Sequence, residues 1–300
     1  MPDPSMSIPT TTHSVDAARE AAATPPLPHS SQVASPPLRK AADQIEILGI
    51  PVSLVTMDQT VNLVGMWIAR GESRHISTCD VHGLMRSQAD QSLAAALRSA
   101  DIVTPDGKPL VWTGRLRHGP GIGRVCGPDL MLALCERSVL TGWRHYFYGG
   151  GEGVADQLAE KLQARFPGLQ VAGVECPPFR DLSAAERQES RSRIVNAGTD
   201  ILWVGLGCPK QDLWMAENAR DLPGVTSIGV GAAFDFHTGR IARAPRWMQD
   251  WGLEWLHRLA SEPRRLWKRY LVLAPRFVLA TGPATLGKLI ARVFQRTRSP

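Results

Sequence analysis

Short apolar runs without alternation recur along the chain, separated by stretches of helical periodicity. Such a run is typical of a strand that is buried on both faces of a parallel sheet. The clearest example is 201–206, and comparable runs cover 75–79, 102–104, 144–148, 169–174 and 226–230. Strands therefore alternate with helices at least five times. This alternation predicts an α/β fold, a Rossmann-like and mostly parallel sheet with helices on both faces.

Polar residues mark where several of the helices begin. Thr56 is followed three residues later by Gln59, and Ser183 is followed in the same way by Glu186. Each pair has the pattern of a capping box, in which two side chains satisfy the first free N–H groups of a helix. The first pair predicts a helix over 57–69. Before it, residues 45–55 read as a strand or a hairpin broken at Gly49 and Pro51.

The pattern divides the chain into three parts. Residues 1–42 are rich in Pro, Ser, Thr and Ala and predict a disordered tail, because they cannot bury enough apolar surface to fold. Residues 43–243 carry the alternation and predict the Rossmann-like catalytic domain. Residues 244–300 predict a basic, amphipathic appendage that associates with membranes. The loop predicted at 231–236 lies near the end of the catalytic domain.

Aromatic residues and charge set the appendage apart. Tryptophans at 247, 251 and 255 recur every fourth residue, which predicts one aromatic stripe on a single helix. Residues 240–300 contain thirteen Lys/Arg and three Asp/Glu, a net +10, whereas residues 1–239 carry a net −4. The tail fits an anionic membrane surface or nucleic acid, or its tryptophans pack on the core. Pro275 and Pro283 interrupt the apolar stretch 271–290, so a membrane-spanning helix is not expected.

Cysteine usage narrows the chemistry. The five cysteines form no Cys-x-x-Cys pair, and the N-terminus lacks the apolar core of a secretory signal. We therefore expect a reducing cytoplasm, free thiols and no structural zinc. Walker A, Gly-x-Ser-x-Gly and Asp-x-Asp motifs are also missing from the sequence. An enzyme that handles a diphosphate without a metal must neutralise its charge with Arg, Lys and helix dipoles.

Candidate site residues follow the predicted strands. Thr78 and Asp80, Asp106, and Lys210 with Gln211 come at carboxyl ends of strands, which share one edge of a parallel sheet. Asp106 lies in Pro-Asp-Gly, where it is either an ordinary turn residue or a general base on a rigid turn.

Two further segments offer phosphate contacts. Residues 149–153 form a glycine-rich turn before a helix, so the backbone N–H groups of Gly149 and Gly150 could bind a phosphate. The segment is not Gly-x-Gly-x-x-Gly and is weak evidence for NAD. Arg124 could contact a phosphate bidentately or form a surface ion pair.

Together these motifs resemble the WecG/TagA/CpsF family of bacterial glycosyltransferases. The resemblance covers about 45–277. The matching segments include Leu-Gly-Ile-Pro-Val at 48–52, Pro-Asp-Gly at 105–107, Tyr-Gly-Gly at 148–150, Val-Gly-Leu-Gly-Cys-Pro-Lys-Gln at 204–211, Ala-Pro-Arg-Trp-Met at 244–248, Gly-Leu-Glu-Trp at 252–255 and Glu-Pro-Arg-Arg at 262–265.

The resemblance implies an inverting, metal-independent transfer from a nucleotide sugar to a polyprenyl-diphosphate-linked sugar in cell-surface polysaccharide synthesis. It implies three catalytic residues: Asp106 as general base, Thr78 beside the donor sugar and Gln211 in the pocket lining. The expected substrate-binding residues are Asp80, Arg124, Gly149, Gly150, Lys210, Asp235, Arg258, Arg265 and Lys268, of which the last three would reach the donor diphosphate. No cofactor is expected.

The resemblance also implies where the protein works and leaves some choices open. It implies a peripheral enzyme on the cytoplasmic membrane, without nucleic acid as partner, and allows a homo-oligomer. Many members have Thr-x-Asn where this chain has Thr78-Cys79-Asp80, and many have Ser at Pro128. The donor is therefore of the N-acetylmannosamine, glucose or uronate type. An oxidoreductase that uses 149–153 and a nucleic-acid-binding module remain alternatives.

Overall fold

The structure is a computed structural model that describes residues 42–296. It opens with an antiparallel hairpin of two strands, β1 (Gln44–Ile47) and β2 (Ile50–Ser53). Leu48 (φ 50°) and Gly49 (φ 75°) make the turn, and two positive φ angles match the twist of a two-residue hairpin loop. The predicted break at Gly49 is confirmed. The predicted break at Pro51 is wrong, because Pro51 lies inside β2 and pairs with Glu46 of β1 in a separate two-stranded sheet.

Six parallel strands form the main sheet. They are β3 (Arg74–Cys79), β4 (Ile102–Pro105), β5 (Arg144–Gly149), β6 (Gln170–Glu175), β7 (Ile201–Gly205) and β8 (Thr226–Gly229). Their order across the sheet is β4-β3-β8-β7-β5-β6, and every pairing is parallel. All six carboxyl ends therefore meet at one edge, with those of β4, β3 and β8 side by side.

Helices surround the sheet. They are α1 (Met57–Ala69), α2 (Val81–Ser87), α3 (Gln91–Ser99), α4 (Lys108–His118), α5 (Gly127–Thr141), α6 (Val154–Arg165), α7 (Ala184–Asn196), α8 (Lys210–Asn218) and α9 (Ala233–Thr238). Both predicted capping boxes are present, at the starts of α1 and α7. The loop predicted at 231–236 is wrong in its last four residues, because α9 begins at Ala233.

The core has apolar clusters on both faces of the sheet. Ile201 and Trp203 belong to one cluster, and Leu202 and Val204 belong to another. Successive side chains of a strand point to opposite faces, so this division places β7 between two layers of side chains. Each fully buried side chain of this size contributes roughly 1.5–3 kcal/mol to stability. The predicted α/β fold is confirmed.

The C-terminal appendage is helical but broken. It consists of α10 (Arg246–Asp250), α11 (Glu254–Ser261), α12 (Pro263–Trp267), a π-helix (Lys268–Leu273) and α13 (Ala274–Arg296). The predicted single helix with one aromatic stripe is wrong, because Gly252 (φ 76°) turns the chain between α10 and α11.

Tryptophans of the appendage are exposed rather than buried. Trp247, Trp251 and Trp255 are 59%, 76% and 40% exposed, so they do not pack on the core as the alternative interpretation required. Phe277, by contrast, is buried in the cluster beside the hairpin, where α13 packs against α2 and α4. Among residues 42–296, no helix combines the length and apolarity needed to cross a bilayer.

Two predictions on organisation stay predictions. The disordered tail at 1–42 lies, except for its last residue, outside the described residues. The boundary between the catalytic domain and the appendage, at 243/244, is a division by composition and sequence pattern.

Candidate active site

A cavity of about 240 Å³ lies at the carboxyl ends of β3 and β4. The loops after these two strands form one side, the start of α5 and the end of α9 form another, and the appendage covers the rest. Four of the residues expected from the sequence line it: Asp80, Asp106, Arg124 and Arg258. The prediction that strand-end carboxylates share a cleft therefore holds for Asp80 and Asp106.

Asp106 is fixed at the end of β4. Its backbone N–H donates to Cys79 O at 2.9 Å, which holds the turn against β3. Gly107 follows with φ 117°, a conformation that favours glycine. Burial raises the pKa of Asp106 to about 7; the charge of Arg124 opposes this rise, and that of Asp80 adds to it. A carboxylate with this pKa can accept a proton at neutral pH.

An ion pair joins Asp80 to the appendage. Asp80 Oδ1 accepts a hydrogen bond from Gly83 N at 2.9 Å and so caps α2, while Asp80 Oδ2 pairs with Arg269 of the π-helix. Burial disfavours the charged carboxylate, but Arg269 and the bond from Gly83 hold the pKa of Asp80 below its ordinary value. Arg269 lines the cavity, and its Nε is buried without a hydrogen-bond partner among the described residues. Asp80 is therefore charged beside a cation that retains a free donor.

Arg258 supplies a second cation from the appendage. Its guanidinium lies over the ring of Phe236 at 5.3 Å, and its Nε is also buried without a partner among residues 42–296. Trp255 and Tyr270 lie beside it with ring centroids 5.9 Å apart. The cavity thus combines carboxylates, cations with unused donors and an aromatic wall.

A chain of ion pairs joins the cavity wall to the start of the appendage. Arg124 Nη2 donates to Glu254 Oε2 at 2.5 Å, and Arg243 Nε donates to Glu254 Oε1 at 3.4 Å. Arg243 Nη1 donates in turn to Asp129 Oδ1 at 2.6 Å, and Cys126 Sγ donates to Asp129 Oδ2 at 2.9 Å. Glu254 thus forms one ion pair with an arginine of the body and one with an arginine of the segment that leads into the appendage.

Comparison with known proteins identifies the family. Residues 45–288 match the model of the glycosyl transferase WecG/TagA/CpsF family. The chain belongs to this family. It is therefore a glycosyltransferase, as the resemblance of its motifs indicated.

Two curated relatives of this glycosyltransferase carry the same name, N-acetylglucosaminyldiphosphoundecaprenol N-acetyl-beta-D-mannosaminyltransferase. The protein from Bacillus spizizenii is 31% identical over 186 residues, which is 62% of this chain and 70% of the relative. The protein from Bacillus subtilis is 29% identical over 204 residues, which is 68% of this chain and 77% of the relative.

Other residues expected at the site of the glycosyltransferase lie outside the cavity wall. Thr78 Oγ1 donates to Gly229 O at 2.7 Å, and Gln211 is buried with Oε1 accepting from Gly231 N at 2.9 Å. Both side chains thus tie strand ends and the following loops together. Lys210 is exposed at the start of α8, and Asp235 is half-buried on α9.

The glycine turn has a packing role in this structure. A Cβ on Gly149 would lie 2.7 Å from the backbone of Gly205, and one on Gly150 would lie 3.0 Å from the side chain of Val154. The close approach of β5 and β7 therefore requires glycine at 149. The cavity wall includes none of the described residues 149–153.

Two expected basic residues point away from the cavity. Arg265 is exposed and donates to Glu262 Oε1 at 2.7 Å, and Lys268 is exposed over the ring of Trp267 at 5.6 Å. Arg269, which the resemblance did not name, lines the cavity instead. Helical spacing alone could not select it, because the π-helix that starts at Lys268 changes which residues face the body.

Proposed function

We propose that this glycosyltransferase moves a sugar from a nucleotide sugar, a UDP-sugar, to a polyprenyl-diphosphate-linked sugar, with inversion and without a metal ion. The reaction would serve the assembly of a cell-surface polysaccharide. The names of the two relatives, which specify a diphosphoundecaprenol-linked acceptor, support the acceptor class. The observation that carries the proposal is Asp106, a carboxylate with a pKa of about 7 in a cavity that also holds Arg124, Arg258 and Arg269.

Asp106 acts as the general base in this proposal. It takes the proton from the acceptor hydroxyl while that oxygen attacks the anomeric carbon from the face opposite the leaving group. The bond between the anomeric carbon and the diphosphate oxygen breaks, and its electron pair stays on the diphosphate. A single displacement of this kind inverts the anomeric configuration.

The diphosphate leaving group requires positive charge. Arg258 and Arg269 offer unpartnered Nε donors, and Arg124 adds a third guanidinium to the same cavity. The helices α4 and α5 begin at the cavity without a side-chain cap, so their first N–H groups also favour an anion. Preorganised donors of this kind can replace the charge of a metal ion. Within residues 42–296, no group of three or more His, Cys, Asp or Glu is placed to hold a metal.

The appendage would hold the enzyme at the inner face of the cytoplasmic membrane. The prenyl chain of the acceptor lies in the bilayer, so the enzyme must work at its surface. Trp247 and Trp251 are exposed on the basic appendage, which suits an interfacial location. Each Lys or Arg near an anionic surface contributes about 1 kcal/mol to binding.

A donor screen tests the proposed function. We expect transfer from one UDP-sugar to a lipid-linked sugar acceptor, unchanged in excess EDTA, with a product of inverted anomeric configuration. The screen includes N-acetylmannosamine, glucose and uronate donors, because Asp80 stands at the donor-side position where many members have Asn. Activity that EDTA abolishes and Mg²⁺ or Mn²⁺ restores would contradict the metal-free site.

Ligand-induced stabilisation separates the enzyme from the oxidoreductase alternative. Only a ligand that binds the folded state raises the thermal midpoint. We expect UDP to raise it and NAD to leave it unchanged, since residues 149–153 are not part of the cavity wall. A midpoint that rises with NAD alone would favour the oxidoreductase.

A further inference from the structure

Two ion pairs flank Asp106 in the cavity. Asp80 pairs with Arg269 on one side, and Arg124 pairs with Glu254 on the other. The four charges cancel, so burial remains to decide how tightly Asp106 holds a proton. The other charged or titratable groups that line this cavity are His82, Lys108, Cys126, Arg258 and Tyr270.

Glu254 differs from the other three charges in its position. It is the first residue of α11, and its side chain is 17% exposed between two arginines. Arg124 belongs to the loop before α5, whereas Arg243 lies just before the appendage and is anchored to Asp129. The carboxylate of Glu254 therefore brings the appendage and the wall beside Asp106 into one network.

The charge of Glu254 acts on Asp106 in two ways. It repels the negative form of Asp106, and it neutralises Arg124, whose positive charge favours that form. Loss of Glu254 would leave Arg124 unpaired beside the base. Removing a negative neighbour weakens proton binding, so the pKa of Asp106 would fall.

We propose that Glu254 is a positioning residue for this glycosyltransferase: it holds Arg124 in place and keeps Asp106 able to accept a proton at neutral pH. This inference rests on the proposed function, in which Asp106 is the general base. Since Glu254 belongs to the appendage, the base gains its full basicity when α11 is docked on the body. The appendage thus contributes to proton transfer as well as to diphosphate binding.

The test is the pH dependence of kcat/KM in the full-length Glu254→Gln variant. We expect the acidic limb of the profile to move to lower pH by about one unit, because one nearby charge is removed. The plateau should fall about threefold, since a weaker base accepts the proton less readily. Asp250→Asn is the matched control, because it removes one charge from an exposed position of α10. Its profile should coincide with that of the parent protein.

A second variant should displace the acidic limb of the pH profile in the opposite direction. Arg124→Gln removes the cation and leaves Glu254 beside Asp106, so its acidic limb should move to higher pH. A displacement to lower pH in Glu254→Gln supports the proposal, and the opposite displacement in Arg124→Gln shows that the ion pair acts on Asp106 through its charges. An acidic limb that stays in place in Glu254→Gln, or that moves equally in Asp250→Asn, would overturn the proposal even if kcat falls.

The proposed function can fail separately from this inference. If Asp106→Asn keeps the acidic limb and full activity, the base assignment itself is wrong. If Asp106→Asn is inactive while the limb of Glu254→Gln coincides with that of the parent, Glu254 has only a structural role.

Discussion

The body and the appendage both contribute charged side chains to one cavity, but by different structural means. The body supplies Asp80 and Asp106 at the ends of β3 and β4, where neighbouring strands fix the backbone. The appendage supplies Arg258 and Arg269 from short helical segments. In the proposed mechanism, the body therefore supplies the proton acceptor, and the appendage supplies two of the cations that would stabilise the leaving group.

The surfaces of the two regions differ as well. The sheet of the body is covered on both faces, and its large apolar side chains are mostly buried. The appendage buries Leu266 and Phe277 and leaves four tryptophans exposed, of which Trp255 also lines the cavity. The exposed residues are Trp247, Trp251, Trp255 and Trp267. An exposed, basic and aromatic surface is what an anionic bilayer binds. In the proposed function, this outer surface of the appendage would face the membrane.

The largest effect on activity is expected from the loss of the Asp106 carboxylate of the body. Asp106→Asn removes the proton acceptor without a change in size, so kcat should fall by roughly a hundredfold or more. UDP should still raise the thermal midpoint of the variant, because the cations that bind the diphosphate are intact. A variant with parental kcat would remove Asp106 from the mechanism and with it the role of the body in proton transfer.

The sequence predicted the body more closely than the appendage. The helix predicted at 57–69 has those bounds in the structure, because the capping box at Thr56 and the apolar period are both local signals. The placement of Asp80 and Asp106 also followed, since parallel strands bring their carboxyl ends together. In the appendage, the positive φ of Gly252 interrupts the helix that the spacing of the tryptophans predicted, and the π-helix changes which basic residues face the body. Neither the turn nor the π-helix can be read from the periodicity of the sequence.

The next largest effect on transfer is expected at Arg269, and Arg265 of the same appendage serves as its control. Arg269→Ala removes a guanidinium that lines the cavity and pairs with Asp80, so transfer should fall at least tenfold. Arg265→Ala removes an equal charge from an exposed position and should change transfer by less than threefold, in line with the small contribution of surface ion pairs.

Further variants show whether the loss reflects Arg269 itself. Arg269→Lys keeps the charge but not the planar fork, so it should recover part of the activity. The thermal midpoints of all three variants would show whether unfolding, rather than the lost guanidinium, causes the loss of transfer. A larger loss in Arg265→Ala than in Arg269→Ala would mean that the appendage repacks when the donor binds and that the resemblance assigned the cations correctly.

The smallest effect concerns the outer surface of the appendage. Trp247→Ser with Trp251→Ser removes two exposed aromatic side chains, so affinity for anionic vesicles should fall about tenfold, because interfacial binding scales with the buried apolar area. The matched control is Leu140→Ser with Phe179→Ser, which removes side chains that are 86% and 84% exposed on the body. Transfer to a vesicle-embedded acceptor should follow vesicle affinity, while UDP-sugar hydrolysis in solution stays at the parental rate. Equal vesicle binding by the two double variants would contradict a specific role of Trp247 and Trp251 in membrane binding.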